Sequence, residues 1–418
     1  MIFIYNISIS FYSLGIRLAA IGGNSKARLW VNGRRNIFKH ISSTLNSGEK
    51  RIWFHCASLG EFEQGRPVMD NLKMKYPEYK IVLTFFSPSG YEVRKNYTGA
   101  DYVFYLPVDT YFNANKFVDL VQPEKAFFIK YEYWHHYFKT LKRKNIPLYI
   151  ISAIFRKDQS FFKWYGIFFR KMLPGVTQFF VQDEASENLL HSIGFKNVTV
   201  SGDTRFDRVA TVARNNNKVA IVEKFKNGKK LFIAGSTWPQ DEEIIIQLIA
   251  SKPVEIEKFI IAPHEISGDR IQHLYNKLSA KLDEDKIILY SNANESNVTN
   301  ATVMIINNIG LLSSLYRYGD FALIGGGFGK GIHNILEAAV FGMPLFFGPH
   351  YQKFKEANDL VQFGGAFTIN SFTELRSKLN EFSDDKTKWK SVSAISKEYV
   401  QEKCGATEKI LKFIRITP

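Results

Sequence analysis

The sequence predicts an α/β protein made of two doubly wound parallel sheets. Three observations carry that expectation. Short apolar β-like runs alternate with helical patterns from Arg51 onward. The alternation restarts after a polar stretch at Ala210–Lys230. With 418 residues, the chain is long enough to bury two cores rather than one.

In the first series the candidate strands are Arg51–Cys56, Lys80–Thr84, Tyr102–Leu106, Ala126–Lys130, Leu148–Ser152, Gln178–Val181 and Val198–Ser201. Helical stretches lie between them, for example Gly65–Met74, Asn113–Val121 and Glu184–Ile193. Ala210–Lys230, with its Asn215-Asn-Asn217 run, reads as an interdomain linker plus a surface helix. The second series is Lys230–Ala234, Phe259–Ala262, Lys286–Leu289, Val303–Asn307, Phe321–Ile324, Pro344–Phe347 and Ala366–Ile369. The expected organisation is an N-terminal segment 1–24, a domain 25–209, a linker 210–229 and a domain 230–418, whose last helix is open to returning to the first domain. Ligands of open parallel sheets bind beyond the carboxyl ends of the strands. The informative loops are therefore the ones that follow these runs, and two facing domains would put them on one cleft.

Met1 to Gly22 is rich in Ile, Phe, Leu and Tyr, but Asn6, Ser8, Ser10, Ser13 and Arg17 interrupt it. No basic residue precedes the apolar run, so it lacks the charged start of a secretory signal. Lys26, Arg28, Arg34, Arg35 and Lys39 follow it closely. That order suits a segment lying in or dipping into the cytoplasmic leaflet, its basic flank facing anionic lipid phosphates. The alternative is a buried first helix.

Fifty-five basic against 40 acidic residues give a net charge of +15, which points to anionic partners such as phosphates, nucleic acid or a membrane surface. Two cysteines, Cys56 and Cys404, supply neither a disulfide framework nor a cysteine-rich metal site. No HExxH or clustered-Asp spacing of a metal site occurs.

The most informative stretch is Gly325-Gly-Gly-Phe-Gly-Lys-Gly-Ile-His-Asn-Ile-Leu-Glu337, followed by Gly342-Met-Pro-Leu-Phe-Phe-Gly-Pro349. An apolar run ends in glycines and a helix-like run starts near His333, the pattern of a strand, an anion-accommodating turn and a helix N-terminus. It is not a Walker A loop, because Gly331 rather than Ser or Thr follows Lys330. It is not a dinucleotide fingerprint either, because Lys330 stands where the last glycine belongs. Anion binding and a merely tight turn both remain open on spacing.

His55-Cys-Ala-Ser-Leu-Gly-Glu61 follows the first strand, with Ser58 and Gly60 in the turn and Glu61 near the start of the next helix. Glu61 is placed either to accept a proton from a substrate hydroxyl or simply to complement the helix dipole. Ser87-Pro-Ser89-Gly90 follows the second strand, either as a capped turn or as a polar ligand contact. Glu132 and Trp134 follow the fourth, as a cleft carboxylate beside a sugar-stacking or core aromatic. Arg205, after the last strand, either faces an anionic substrate or is an ordinary surface arginine. In the second series Ser236 or Thr237 is an expected N-cap or phosphate contact, and His264 a nucleotide contact or a satisfied polar side chain.

Taken in order, HxxSxGE (His55 to Glu61), TxxSPSG (Thr84 to Gly90), YLPxD (Tyr105 to Asp109) and ExW (Glu132 to Trp134) resemble the Kdo (3-deoxy-D-manno-octulosonic acid) transferases of lipopolysaccharide assembly. GDTRFD (Gly202 to Asp207), GSTWPQDEE, APHE, GGGFGKGIHNILEAA and MPLFFGPHYQKFKE continue the match over about residues 25 to 400. The resemblance implies a GT-B fold, two facing Rossmann-like domains with a membrane-associated N-terminus. It also implies an inverting glycosyltransferase at the cytoplasmic face of the inner membrane that needs no metal or cofactor. Its donor would be CMP-Kdo and its acceptor a lipid A precursor (lipid IVA). Carried over residue by residue, Glu61 matches the family's general base. Gly326, Gly327, His333, Asn334 and Glu337 match the nucleotide-binding segment, with Glu337 toward the ribose hydroxyls. Ser236 and Thr237 match the loop facing the donor.

The chain departs from the family in three places. Pro263-His264-Glu265 stands where many members have Pro-Arg-His, so the expected phosphate-binding arginine is absent and His264, Arg205 or Lys330 is the candidate cation. Lys130 replaces an acidic residue before the ExW glutamate, and Trp134-His135 replaces Trp-Pro. Two other readings stand beside this one. A nucleotide-sugar epimerase of the same two-domain architecture would not need the apolar N-terminus. A nucleic-acid or other anion binder would gather its basic residues on one face, whereas here lysines are scattered, so no nucleic acid is expected.

Overall fold

The computed structural model describes residues 2–215, 218–253 and 256–414. Its contacts divide the chain into two compact units, Met1–Arg208 with Cys404–Pro418, and Val209–Lys403.

The first unit is built on β1 (Arg51–Cys56), β2 (Lys80–Phe85), β3 (Tyr102–Tyr105), β4 (Pro123–Ile129), β5 (Leu148–Ala153), β6 (Gln178–Val181) and β7 (Val198–Val200). These pair in the order β3-β2-β1-β4-β5-β6-β7, every pairing parallel. Parallel strands covered by helices on both faces read as continuous apolar runs. All six residues of β1 are buried, including its two polar members, Arg51 and His55. Arg51 is satisfied by Glu49 and the Val121 carbonyl. His55 is held by the chemistry of the site described below.

The second unit repeats the plan with β8 (Leu231–Thr237), β9 (Lys258–Pro263), β10 (Ile287–Leu289), β11 (Val303–Ile305), β12 (Phe321–Ile324), β13 (Leu345–Phe347) and β14 (Ala366–Thr368). The order is β10-β11-β9-β8-β12-β13-β14, again all parallel. Each strand run read from the sequence is therefore a strand, and the doubly wound α/β class holds twice over. Strand order reverses between β1 and β4 in one sheet and between β8 and β12 in the other. A crevice opens at such a switch point, where neighbouring strands send their connections to opposite faces.

The segment 210–229, expected as a linker, carries the end of a helix, Thr204–Arg214, and a second helix, Ala220–Lys226. Val222 and Phe225 of the latter are buried. Asn216 and Asn217 of its asparagine run lie outside the described residues. At the other end of the chain, the helix Ala406–Phe413 packs in the first unit. Asp207 accepts the amides of Gly405 and Thr407, both at 2.6 Å, and Ile410 joins the core around Phe54 and Phe127.

The N-terminal run is one helix, Ile2–Ile21, long and apolar enough to cross a membrane. None of its residues is buried, so the buried-first-helix alternative fails. Phe3, Ile4, Phe11, Leu14, Leu18 and Ile21 face outward. Some of the polar interruptions have local partners. The Tyr5 hydroxyl donates to Asp109, and Asn6 Oδ1 lies 2.7 Å from His136 Nε2. Ser8 and Ser10 bond back to carbonyls one turn earlier.

Candidate active site

The crevice of the first unit collects the ends of β1, β2 and β4. The helix Leu59–Lys75 follows β1 with Ser58 as N-cap, but Ser58 makes no side-chain capping bond. Glu61 takes over that role, its Oε2 accepting the Ala57 amide. Burial raises the Glu61 carboxyl first, and the neighbouring negative charge of Glu132 raises it further. The Ala57 and Ser58 amides and the Lys130 cation pull the other way, and the carboxyl settles at about 8. Glu61 thus combines a place in the first turn of its helix, where a carboxylate complements the dipole, with a proton affinity near neutrality. Gly60 is exposed in the same turn.

Glu132 lies just beyond β4. Its Oε2 accepts the indole N–H of Trp134 at 2.8 Å and lies 3.1 Å from His55 Nε2. The opposite ring nitrogen of His55 sits 2.9 Å from Thr84 Oγ1 on β2. Parallel registry sets this chain of contacts, because His55 pairs with Thr84 on one side and Phe128 on the other. Trp134 therefore does more than pack as a core aromatic. It is half-buried, packs on Phe86 at 4.8 Å and fixes the Glu132 carboxylate. Lys130 adopts the left-handed backbone region (φ 61°), which ends β4 and turns the chain toward Glu132. Ser87 caps the short helix Pro88–Arg94 by accepting the Ser89 amide, and the two hydroxyls lie 3.0 Å apart, as a plain capped turn requires.

Arg205 is not simply exposed. It makes an ion pair with Asp203 at 2.7 Å, and Asp203 also accepts from Gln64 on the Glu61 helix at 3.3 Å. The Tyr131 hydroxyl, raised mainly by burial, feels the charges of Arg156, Glu61 and Arg205. Arg205 thus belongs to this crevice.

The second unit's crevice lies between β8 and β12. Here the expected N-cap is corrected: Ser236 and Thr237 finish β8, and Trp238 caps the helix Pro239–Ala250. Thr237 is buried and donates to Glu242 at 2.9 Å, which leaves its hydroxyl committed. Asp241 does the work the sequence assigned to those hydroxyls. Fully buried, it accepts the Trp238 amide at 2.8 Å and the Gly326 amide at 2.9 Å, so one carboxylate ties the β8 turn to the glycine turn. Burial lifts that carboxyl to about 6, against the lowering effect of the two amides.

The glycines after β12 answer mostly to packing. A Cβ on Gly325 would lie 2.2 Å from the Ser236 carbonyl oxygen, and one on Gly327 would lie 2.5 Å from the Gly348 amide. Gly326 has φ 92° and its amide is already used by Asp241. The amides of Gly327, Phe328 and Lys330 donate to no acceptor among the described residues, and Lys330 is exposed on the same turn. These, not Gly326, are the groups left for an anion. The helix-like start near His333 is also corrected. The helix is Leu336–Ala339, four residues long, so Glu337 lies in its first turn and a strong axial dipole is not available. Asn334 braces this start, donating to Glu337 at 3.1 Å and accepting the Leu336 amide at 3.2 Å.

His264 and His333 meet face to face. Their rings stack at 4.3 Å, and His264 also stacks on Trp238 at 4.9 Å. The Trp238 indole donates to His333 Nε2 at 3.0 Å. Burial, then repulsion from His264, holds the His333 imidazole down at about 4, so it is a neutral acceptor at neutral pH and brings no positive charge. Among the described residues, no group of three His, Cys, Asp or Glu side chains is placed to hold a metal ion.

The sequence passed over three residues that organise these crevices. His55 opened a recognised motif but read only as strand, and Asp241 and Trp238 stood inside GSTWPQDEE with no role of their own assigned. Their signal was a polar or aromatic residue inside an otherwise interpretable turn.

Residues 32–208 match the family of 3-Deoxy-D-manno-octulosonic-acid transferase (kdotransferase). The 3-deoxy-D-manno-octulosonic acid transferase of Haemophilus influenzae is 25% identical over 378 residues, covering 87% of this chain and 86% of that one. The protein of the same name from Aquifex aeolicus is 26% identical over 385 residues, covering 89% and 96%. Among solved structures, a UDP-GlcNAc 2-epimerase from Neisseria meningitidis superposes with a TM-score of 0.59 at 15% identity, covering 87% of this chain and 98% of that one. That likeness reports the shared GT-B-type fold alone. On its ordered motifs and on relatives that match most of its length, the chain is a glycosyltransferase similar to the Kdo transferases.

Proposed function

We propose that this protein transfers Kdo from CMP-Kdo to a hydroxyl of the lipid A precursor lipid IVA, releasing CMP with inversion at the anomeric carbon. The observation that carries the reading is Glu61, a partly buried carboxyl beside Glu132 with its proton affinity near neutral pH. A general base works best when its pKa lies near the working pH. Glu61 takes the proton of the acceptor hydroxyl as that oxygen bonds to the anomeric carbon, while the bond from that carbon to the CMP phosphate oxygen breaks on the opposite face. His55 and Trp134 hold Glu132, and Glu132 keeps Glu61 from ionising too early.

For the donor, the unused amides of Gly327, Phe328 and Lys330 and the Lys330 cation suit a single phosphate, so the reaction is proposed to need no metal or other cofactor. Asn334 holds Glu337 ready for the ribose hydroxyls. His264 offers a ring face to the donor nucleotide. The relatives named above support the sugar, and the exposed helix Ile2–Ile21 with its basic flank supports action at the anionic cytoplasmic face of the inner membrane.

The test is to mix the purified protein with CMP-Kdo and lipid IVA, follow free CMP, and weigh the lipid. Free CMP with a lipid heavier by Kdo is expected. A protein that instead interconverts a soluble nucleotide sugar and leaves the lipid unchanged would be an epimerase.

A further inference from the structure

We infer that a groove between the N-terminal helix and the Phe86–Pro88 turn is the seat of one acyl chain of the acceptor lipid; this rests on the function proposed above. The groove measures about 460 Å³, within the range of small-ligand sites. One wall is a single face of the helix Ile2–Ile21, formed by Tyr12, Gly15, Ile16 and Ala19 at helical spacing. The other wall is Trp30 with Phe86.

This second wall is rigid. The rings of Trp30 and Phe86 meet at 5.9 Å, and the Arg34 guanidinium lies 4.0 Å from the Trp30 centroid and 4.8 Å from that of Phe86. Arg34 also donates to the Phe86 carbonyl at 2.7 Å and the Leu106 carbonyl at 2.9 Å. Tyr12 closes one side by stacking on Phe86 at 6.0 Å. The opposite wall is cut away: a Cβ on Gly15 would meet nothing within 4 Å.

Two features say what fills the space. One wall of the groove abuts the reacting end, because Phe86 packs on Trp134 at 4.8 Å and Trp134 donates to Glu132. Its lining is apolar apart from Asn24, Ser87 and the Tyr12 phenol, with one cation, Lys26. A phosphorylated glycolipid has the matching polarity, with hydrocarbon for the groove, phosphate for Lys26 and a sugar hydroxyl for the carboxylates. Simple membrane attachment, by contrast, calls for the outward residues of the helix, not for a concave face turned to the protein.

The test uses lipid IVA carrying a diazirine in one acyl chain and the full-length protein in detergent. Photolabel is expected on peptides containing residues 12–19 or 86–88. It should be displaced by unlabelled lipid IVA and not by equal phosphatidylglycerol. Gly15→Leu, which fills the notch, should lose the label and raise KM for lipid IVA roughly tenfold, with KM for CMP-Kdo unchanged. Ala19→Leu is the second variant, and both sit on an exposed helix, so folding is not at stake. Equal displacement by phosphatidylglycerol would make the groove a general lipid slot and overturn the proposal. Label and KM unchanged in both variants would overturn it as well. Labelling is read without turnover, so loss of the groove is distinguishable from loss of the transferase reading.

Discussion

Glu132 Oε2 stands 3.1 Å from His55 Nε2, which joins strand β1 to the loop that follows its parallel neighbour β4 across a topological switch. That contact decides where the negative charge beside Glu61 resides. Because Glu132 is braced by His55 and by the Trp134 indole, its carboxylate cannot swing away to relieve repulsion, and burial plus that repulsion keeps Glu61 at about 8.

Glu132→Gln should therefore lower the Glu61 carboxyl. The rising limb of the pH profile of kcat, expected near pH 8 in the wild type, should move to lower pH. A limb left in place would show that Glu132 does not tune the base.

Glu61→Gln should reduce kcat by at least about a hundredfold, the lower end of a general base's contribution, while CMP-Kdo binding measured by calorimetry survives. Glu61→Ala should abolish transfer outright. The native carboxyl sits above its ordinary value of 4.5, so the folded state holds the proton more tightly than the unfolded one. Its contribution to stability is full below pH 4.5 and is lost as pH rises through about 8. Removing the carboxyl should flatten that part of the stability profile, read by urea denaturation at several pH values.

Asp241→Ala strips the acceptor from the Trp238 and Gly326 amides, both buried or half-buried. A buried donor left unmade costs about 1–3 kcal/mol. The second unit should melt earlier, and KM for CMP-Kdo should rise because the glycine turn is no longer tied down. An unchanged KM would separate the tie from the donor site.

Gly327→Ala would bring a methyl within 2.5 Å of the Gly348 amide. Two backbones have to part, at about 1–3 kcal/mol by analogy with overpacked cores. Calorimetry should show a lower melting temperature and weaker CMP binding together. Lys330→Ala, on the exposed tip of the same turn, should weaken CMP binding with no change in melting temperature.

Deleting residues 2–21 should weaken binding to anionic vesicles and, by removing one wall of the groove, raise KM for detergent-dispersed acceptor, while kcat at saturating acceptor falls less than vesicle binding does. Equal vesicle sedimentation by the shortened protein would contradict the anchoring role of the helix.

Much of the fold could be read from the chain because parallel strands buried on both faces carry an uninterrupted apolar signal. Ile52-Trp-Phe54 and Phe321–Ile324 are examples that short helices between them do not blur. The glycine turn was legible as a turn. It was not legible which amides remained open, because Gly326 is consumed by Asp241, 85 positions away in sequence. Spacing near His333 suggested a helix that the structure shortens to Leu336–Ala339, with His333 still tied back to the glycine turn through its amide on the Gly325 carbonyl. The cap expected at Ser236 or Thr237 moved to Trp238, because strand β8 continues through both hydroxyl residues.

Sequence alone determined the class of the fold, the position of each strand, the candidate base Glu61 and the likeness to the Kdo transferases, since apolar periodicity and motif order are local properties of a chain. Tertiary structure decided what those residues can do. Burial and the fixed charge of Glu132 set the proton affinity of Glu61, burial and then repulsion from His264 leave His333 uncharged, and the N-terminal helix makes one wall of a groove whose other wall, Phe86, packs on Trp134. Each of these depends on distance and dielectric between groups far apart in the chain, quantities that no local pattern encodes.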